Sequence, residues 1–376
     1  MKKTALYLLA LSGLTLAACS DDQPVNSRQD AIGEIAFRPG MGTRASEITN
    51  ANIDKFYVTA LTDTTGFATH SATKKSGNAY FSDVEFDKGQ DSFFTSKGRS
   101  YYWPGENEPL RFIAYSPSQD EIGGDVLPKE DGGTLSLQNF TVAEDIINQV
   151  DFITADTIGT KKDNEYTGVE LTFNHRLSQI ELQAKSDNQE MTYKVIGFRI
   201  GRFEYNGTFD FDTREWTLDD WHDTYVYEGK CDTITLSSTP QTIMGEGGNA
   251  MLLPQKFTAW DPKGDPDNVA RESYLSVLIQ ITDNGTHERI YPFQDDNRTD
   301  DNGQLRQFAW ATIPIKGEWV QGKKYIYTLD FTNGAGFVDP DDPTPGQPIL
   351  SPIKAKVTVV DWVDDSNPID MTPTIN

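Results

Sequence analysis

From residue 31 onward, apolar and polar side chains follow one another in short runs that alternate or stay apolar throughout. Clear examples are Phe56-Tyr57-Val58-Thr59-Ala60-Leu61, Arg111-Phe112-Ile113-Ala114-Tyr115 and Gln179-Ile180-Glu181-Leu182-Gln183-Ala184. Leu275-Ser276-Val277-Leu278-Ile279-Gln280-Ile281 and Lys354-Ala355-Lys356-Val357-Thr358-Val359-Val360 continue the pattern. A period of two sends successive side chains to opposite faces of an extended backbone, and Val, Ile, Thr, Tyr and Phe suit a pleated surface. Gly, Asn, Asp and Pro punctuate the runs. Helical spacing is rare, and residues 141–149 are a candidate for a turn or two. The pattern predicts an all-β chain built of antiparallel sandwiches.

The alternation lapses between Thr157 and Glu165, where Gly159, two lysines and the Asp163-Asn164 pair stand together, and resumes at Val169-Glu170-Leu171-Thr172-Phe173. This predicts an N-terminal sandwich over 31–160 and a C-terminal one over 165–376, each long enough for its own core. Residues 19–30 are polar and read as a tether.

Residues 1–18 carry a different signal. Lys2 and Lys3 precede an apolar stretch from Ala5 to Leu16, and small residues Ala17 and Ala18 follow. A charged n-region, an apolar h-region and a small-residue cleavage site make an export signal. The apolar stretch falls well short of the ~20 residues that span a bilayer. Leu16-Ala17-Ala18-Cys19 resembles a bacterial lipobox, which implies a diacylglycerol on the Cys19 thiol and cleavage before Cys19. Each buried methylene of such a chain adds ~0.8 kcal/mol of membrane affinity. Ser20-Asp21-Asp22 is similar to the acidic tag that sends Bacteroidales lipoproteins to the cell surface.

Charge narrows the partners. The 376-residue chain has a formal net charge of −24, and loss of Lys2 and Lys3 with the signal gives −24 − 2 = −26. Such a balance repels nucleic acid and anionic surfaces. Aromatic residues make up 11% of the chain, which excludes general disorder. With Cys19 lipidated, Cys231 has no partner for an intrachain disulfide; its setting, Tyr227 to Thr233, reads as a strand start, with Cys231 a small buried or edge residue rather than a reactive thiol.

Catalytic patterns are missing from the sequence. His70, His175, His222 and His287 show no zinc-ligand spacing. No nucleophile elbow or phosphate-binding glycine loop follows a strand. A glycosidase needs two carboxylates about 5–10 Å apart, and nothing singles out a pair among 57 acidic residues. Asp339, Asp341 and Asp342 are candidate Ca²⁺ ligands, but without an EF-hand's Gly and bidentate Glu the preferred reading is a solvated Pro-Asp turn. His175, at a strand start, reads as a hydrogen-bonded structural histidine. No enzymatic activity, cofactor or metal is expected.

Five segments in order resemble the fimbrillin family, the Mfa-like pilins of Bacteroidales. They are Tyr101-Tyr102-Trp103-Pro104 with Leu110 to Pro117; Leu171 to Ile180, including Phe173-Asn174-His175-Arg176-Leu177; Met251-Leu252-Leu253-Pro254-Gln255; Trp319 with Gly322 to Leu329; and Val357-Thr358-Val359-Val360-Asp361-Trp362. The resemblance implies two tandem transthyretin-like antiparallel β-sandwiches and assembly by strand exchange. A lipid-anchored precursor reaches the outer membrane, a protease cuts after an Arg in the first domain, and the vacated groove takes a strand from a neighbouring subunit. In this chain Ile32-Gly33-Glu34-Ile35-Ala36-Phe37 alternates like the removable strand. Gly40-Met41-Gly42-Thr43-Arg44-Ala45 follows it, so Arg44–Ala45 is the expected cleavage site. Arg28 and Arg38 are alternatives, although Arg38 precedes Pro39, which trypsin-like enzymes refuse. An uncut strand and loop is the competing reading.

Strand addition satisfies an unpaired backbone and an apolar trough together. A donor strand should alternate over ~6–10 positions. The stretch 363–376 carries Pro368 and Pro373 and only four large apolar residues, which makes it a poor donor and favours a tip or minor subunit. The expected partners are other fimbrial subunits and, at a tip, host or bacterial glycans or proteins. Trp216, Trp221 and Trp260 are candidates for stacking on a glycan, against the commoner role of capping a core. The alternative function is a monomeric surface lipoprotein that binds glycans.

Overall fold

A computed structural model describes residues 32–41, 53–62, 78–89, 93–128, 135–219, 224–264, 272–300, 302–353 and 355–362. The first half of the chain forms β1 (Ala36–Met41), β2 (Lys55–Thr62), β3 (Asn78–Lys88), β4 (Phe94–Ser96), β5 (Leu110–Ser116), β6 (Asp125–Pro128), β7 (Leu135–Thr141), β8 (Ile153–Gly159) and β9 (Val169–His175). All but β6 and β7 close into a barrel in the order β1-β4-β3-β2-β5-β8-β9. Its ladders are antiparallel except for β1 with β9, which run parallel from Phe37↔Val169 to Met41↔Phe173.

Strict alternation fills the barrel interior, as closure of a sheet requires. Phe56, Val58 and Ala60 point inward from β2, Leu110, Phe112 and Ala114 from β5, and Val169, Leu171 and Phe173 from β9. Ile35 and Phe37, at the start of β1, complete this cluster. Strand β5 is apolar without a break from Phe112 to Tyr115 because both its faces are covered there. Its other face sends Ile113 and Tyr115 into a second, larger cluster formed mainly by the rest of the chain.

That second cluster is enclosed by β10 (Ser178–Lys185), β11 (Met191–Glu204), β12 (Asn206–Asp210), β13 (Glu215–Leu218), β14 (Thr224–Thr235), β15 (Glu272–Asp283), β16 (Ala309–Pro314), β17 (Lys323–Asp330) and β18 (Ala355–Asp361), with shorter strands between them. One sheet carries β10, β17 and β18; a larger one carries β14, β11, β15 and β16. A four-stranded sheet, β13-β12-β7-β6, is drawn from both halves of the chain, with Phe209 of β12 opposite Leu137 of β7. Two features therefore cross the polar interval at 157–165: this mixed sheet, and β9, which pairs with β1 and β8.

The protein is all-β, as the patterning predicts. In the helical candidate at 141–149, β7 takes Thr141 by pairing with β12, and a single 3₁₀ turn, Ile146–Asn148, remains. Tertiary pairing overrides local preference there.

The ring of Phe37 lies 4.7, 5.0 and 5.9 Å from those of Phe86, Phe112 and Phe56, edge-on to each. Truncation of so buried an aromatic leaves a cavity that the surrounding rings cannot fill. Phe37→Ala is expected to cost ~3–5 kcal/mol in denaturant unfolding. Ile32→Ala, at a side chain 71% exposed, is expected to stay within about 0.5 kcal/mol of the parent.

Candidate functional site: a closing strand and a buried junction

Strand β1 is held on two sides. Its register with β4 covers Ala36↔Thr95 and Phe37↔Phe94, and with β9 it covers five positions. Just before the strand, Ile35 N donates to Tyr101 O at 2.8 Å and Trp103 N donates to Gly33 O at 2.9 Å. Gly33 has φ +80°, a conformation that suits glycine and lets the chain turn into the barrel beside Tyr102. Ile35, Ala36 and Phe37 are buried. Burial of Ile35 and Phe37 contributes roughly 2 kcal/mol each. With β1 absent, the order β4-β3-β2-β5-β8-β9 remains an unbroken ladder. Thus β1, the first of these strands along the chain, closes the barrel between β4 and β9.

Arg38 lies inside β1, opposite Glu170 of β9. A protease cleft takes an extended backbone with free hydrogen-bonding groups, and those of β1 are committed to the barrel. Cys19, Arg28, Arg44 and Ala45 lie outside the described residues, as do His70, His222, Trp221 and the stretch 363–376.

The second candidate region is the junction between the barrel and the remaining sheets. His175, the last residue of β9, is buried, and its Nδ1 lies 2.8 Å from Asp151 Oδ1. The imidazole stacks on the indole of Trp362, with centroids 4.3 Å apart and planes 12° from parallel. Trp362 directly follows β18. Burial pushes the Asp151 carboxyl above its ordinary value, and His175 opposes that rise. Arg111 of β5 makes a bidentate pair with Asp156 of β8 at 2.7 and 3.0 Å, and its NH1 reaches Asp212 beyond β12 at 3.1 Å. Arg176 donates to Thr154 Oγ1 at 2.7 Å and sits over the Phe209 ring. These contacts tie both halves of the chain together. His175 is a structural residue, as its place at a strand end suggests, but Asp151 and Trp362 reach it through pairing across sheets, which no local pattern reveals.

The Pro-Asp loop at 339–347 is a turn exposed at Asp341, Pro343, Thr344, Pro345 and Gln347, but its first carboxylate is not solvated. Asp339 is 3% exposed and accepts from Ser276 and Thr312, each at 3.2 Å, beside Arg199. Asp342 accepts from Arg298, while Arg298 and Arg306 both pair with Asp296. Burial works to raise Asp296, but the two guanidiniums prevail and hold it down to about 2. The signal missed in the sequence is the arginines, which come from distant strands and turns. Of the aromatic candidates for glycan stacking, Trp260 is buried against Tyr274 and Phe337. Trp216 packs on Phe140 and Phe209 and donates to Arg176 O. Cys231 lies in β14, half-buried, its thiol pushed up by burial and by Asp232. Among the described residues no group of three or more His, Cys, Asp or Glu side chains is placed to hold a metal ion.

Comparison with known proteins points one way. The family model described as fimbrillin-like matches residues 43–362, beginning just past β1 and ending on Trp362. A Bacteroides uniformis protein described as a proposed fimbrium subunit, Fim1C, is 26% identical over 267 residues, which is 69% of this chain and 78% of the relative. A Bacteroides ovatus crystal structure, ascribed to a proposed cell adhesion protein, is 15% identical and covers 89% of this chain and 100% of its own, with a TM-score of 0.45. The fimbrial anchor protein Mfa2 of Porphyromonas gingivalis is 14% identical, with coverages of 89% and 99% and a TM-score of 0.35. Overlaps at these scores fix no domain arrangement.

The cluster around Asp296 gives a pH signature. A carboxyl held near 2 in the native state, against ~3.9 in an unfolded chain, stabilises the fold fully above about pH 4. That contribution is lost as pH falls toward 2. Asp296→Asn is expected to lower the midpoint of urea unfolding at pH 7 and to flatten its fall between pH 4 and 2. An unchanged acid limb in the variant would show that another carboxylate sets it.

Proposed function

The chain belongs to the fimbrillin-like family, and on that premise we propose that it is a structural subunit of a surface fimbrium, exported as a lipoprotein and joined to its neighbours through the seat of β1. The fimbrial role follows from family membership and is supported by the Fim1C relative. Lipidation at Cys19, processing at Arg44–Ala45 and strand exchange are the further parts of the reading.

One observation carries the exchange: β1 is the first barrel strand along the chain and sits between β4 and β9, so its removal opens the barrel while the run from β2 to β9 stays covalently continuous. The slot between β4 and β9 then presents unpaired backbone groups and an apolar trough lined by Phe56, Phe86 and Phe112. Such a slot is a template for an extended strand with apolar side chains at alternate positions. Because β1 precedes the rest of the barrel along the chain, one cut after it frees both its ends. Arg44 lies three residues beyond Met41, the last residue of β1. Arg38 is disfavoured by its place inside the strand and by Pro39. Pro368 and Pro373 make 363–376 a poor inserting strand and favour a tip position. Cys19 supplies the outer-membrane anchor before the cut.

The monomeric glycan-binding reading gains nothing from Trp216 and Trp260, whose rings pack inside the protein. The two readings separate on one experiment. Brief digestion of the soluble full mature chain with an Arg-specific protease is expected to cut after Arg44, release the β1 peptide and yield ladders on SDS gels without boiling. Arg44→Ala is expected to remain intact and monomeric. A chain that loses β1 and still runs as a monomer overturns strand exchange.

A further inference from the structure

We infer that Trp362 is a releasable plug, and that β18 can detach from the folded protein as a unit while the sheets around it stay closed. Four observations combine. Among the described residues β18 hydrogen-bonds on one side only, to β17 across Ala355↔Leu329 to Asp361↔Lys323. None of its side chains from Ala355 through Val360 is fully buried, although Ala355, Val357 and Val359 pack against the larger cluster. By contrast, the residue after it, Trp362, is 2% exposed. The strand is thus paired on one edge, packed on one face and anchored at its end by a buried indole.

The seat of the anchor is specific. Trp362 N donates to Gly322 O, and Gly322 N donates to Leu177 O, so the plug closes over the turn between β9 and β10. Gly322 has φ +70°, in the turn that enters β17. Inside the seat, Trp362 lies flat on His175, which is bound to Asp151. Trp362 Nε1, His175 Nε2 and Asp151 Oδ2 are buried with no protein partner. A buried polar atom without a protein partner favours any state in which water can reach it. Withdrawal of one indole admits water to all three. Packing holds the plug in, and these polar atoms favour its departure, which is the balance a latch requires.

The inference rests on the fimbrial reading only for the use made of a detached β18. The test reads the uncut monomer, so a failure to polymerise leaves it standing. Amide hydrogen exchange of the full mature chain is expected to show β18 opening well before β17, β10 and the barrel strands. Trp362→Ala is expected to raise exchange across 355–361 by roughly tenfold or more, with the barrel strands unchanged. Trp362→Phe keeps a ring on His175 and is expected to fall between the two; it also serves if the alanine variant does not fold. Exchange of β18 together with β17 and β10, or a variant that speeds every strand alike, makes Trp362 an ordinary core residue and overturns the proposal.

Discussion

Every backbone amide in a sheet needs a partner on each side, and only closure removes both edges. In this protein closure of the first sheet depends on β1. Its two-pair register with β4 and five-pair register with β9 occupy groups that would otherwise face solvent. The interior depends on it as well. Ile35 and Phe37 complete a cluster whose other members come from six further strands and their connections. A parallel strand at the closing position is unusual in an otherwise antiparallel barrel. It lets the first segment of the chain lie beside β9, one of the last elements of the barrel. The strand that completes the sheet is therefore also the one whose removal disturbs connectivity least.

The remainder of the molecule is organised around β5 and β9, each of which serves two environments. From β5, Phe112 enters the barrel while Ile113 and Tyr115 enter the larger cluster. From β9, Phe173 fills the barrel and His175 reaches the junction with Trp362. Between these strands the Arg111–Asp156–Asp212 group and the Asp151–His175 pair fix how the sheets meet. Pairs such as these add little net stability once desolvation is counted. Their geometry is directional, so they set orientation where apolar contact alone would allow sliding.

Much of this was legible in the sequence, and the limits have physical causes. Alternation at Phe56-Val58-Ala60 and Val169-Leu171-Phe173 marks strands with one face inside, because a two-residue period is a local property. Ile35 and Phe37 show the same period, so a first strand before Arg44 could be read directly. Partners could not be read. Nothing local to Val169-Glu170-Leu171 says that it lies beside residues 37–41. The polar break before it suggests instead that it begins a new unit. The mixed sheet of β7 and β12 escapes for the same reason. Asp339 looks solvated in an Asp-Pro run, since the hydroxyls of Ser276 and Thr312 that bury it arrive from strands far away in sequence. Family resemblance supplied what periodicity could not, and its segments at 171–180 and 357–362 contain His175 and Trp362, which meet in the junction.

The first and last described strands are held in opposite ways, and the difference bears on how such a chain stays monomeric. Strand β1 is paired on both sides and carries a phenylalanine into the barrel centre, so its spontaneous departure costs the hydrogen bonds and the packing together. Strand β18 is paired on one side, packs Ala355, Val357 and Val359 on the larger cluster, and ends on one buried indole. An open edge invites pairing with other molecules, but it does not create a vacancy for them to fill. So long as β1 is in place, the barrel offers no slot, and a detached β18 returns to β17. Loss of β1 changes that balance, because a slot with the same backbone and apolar requirements then competes for any extended segment within reach. In the proposed exchange the more firmly held strand therefore controls assembly and the less firmly held one does not, and a covalent cut, rather than thermal opening, suits the first step.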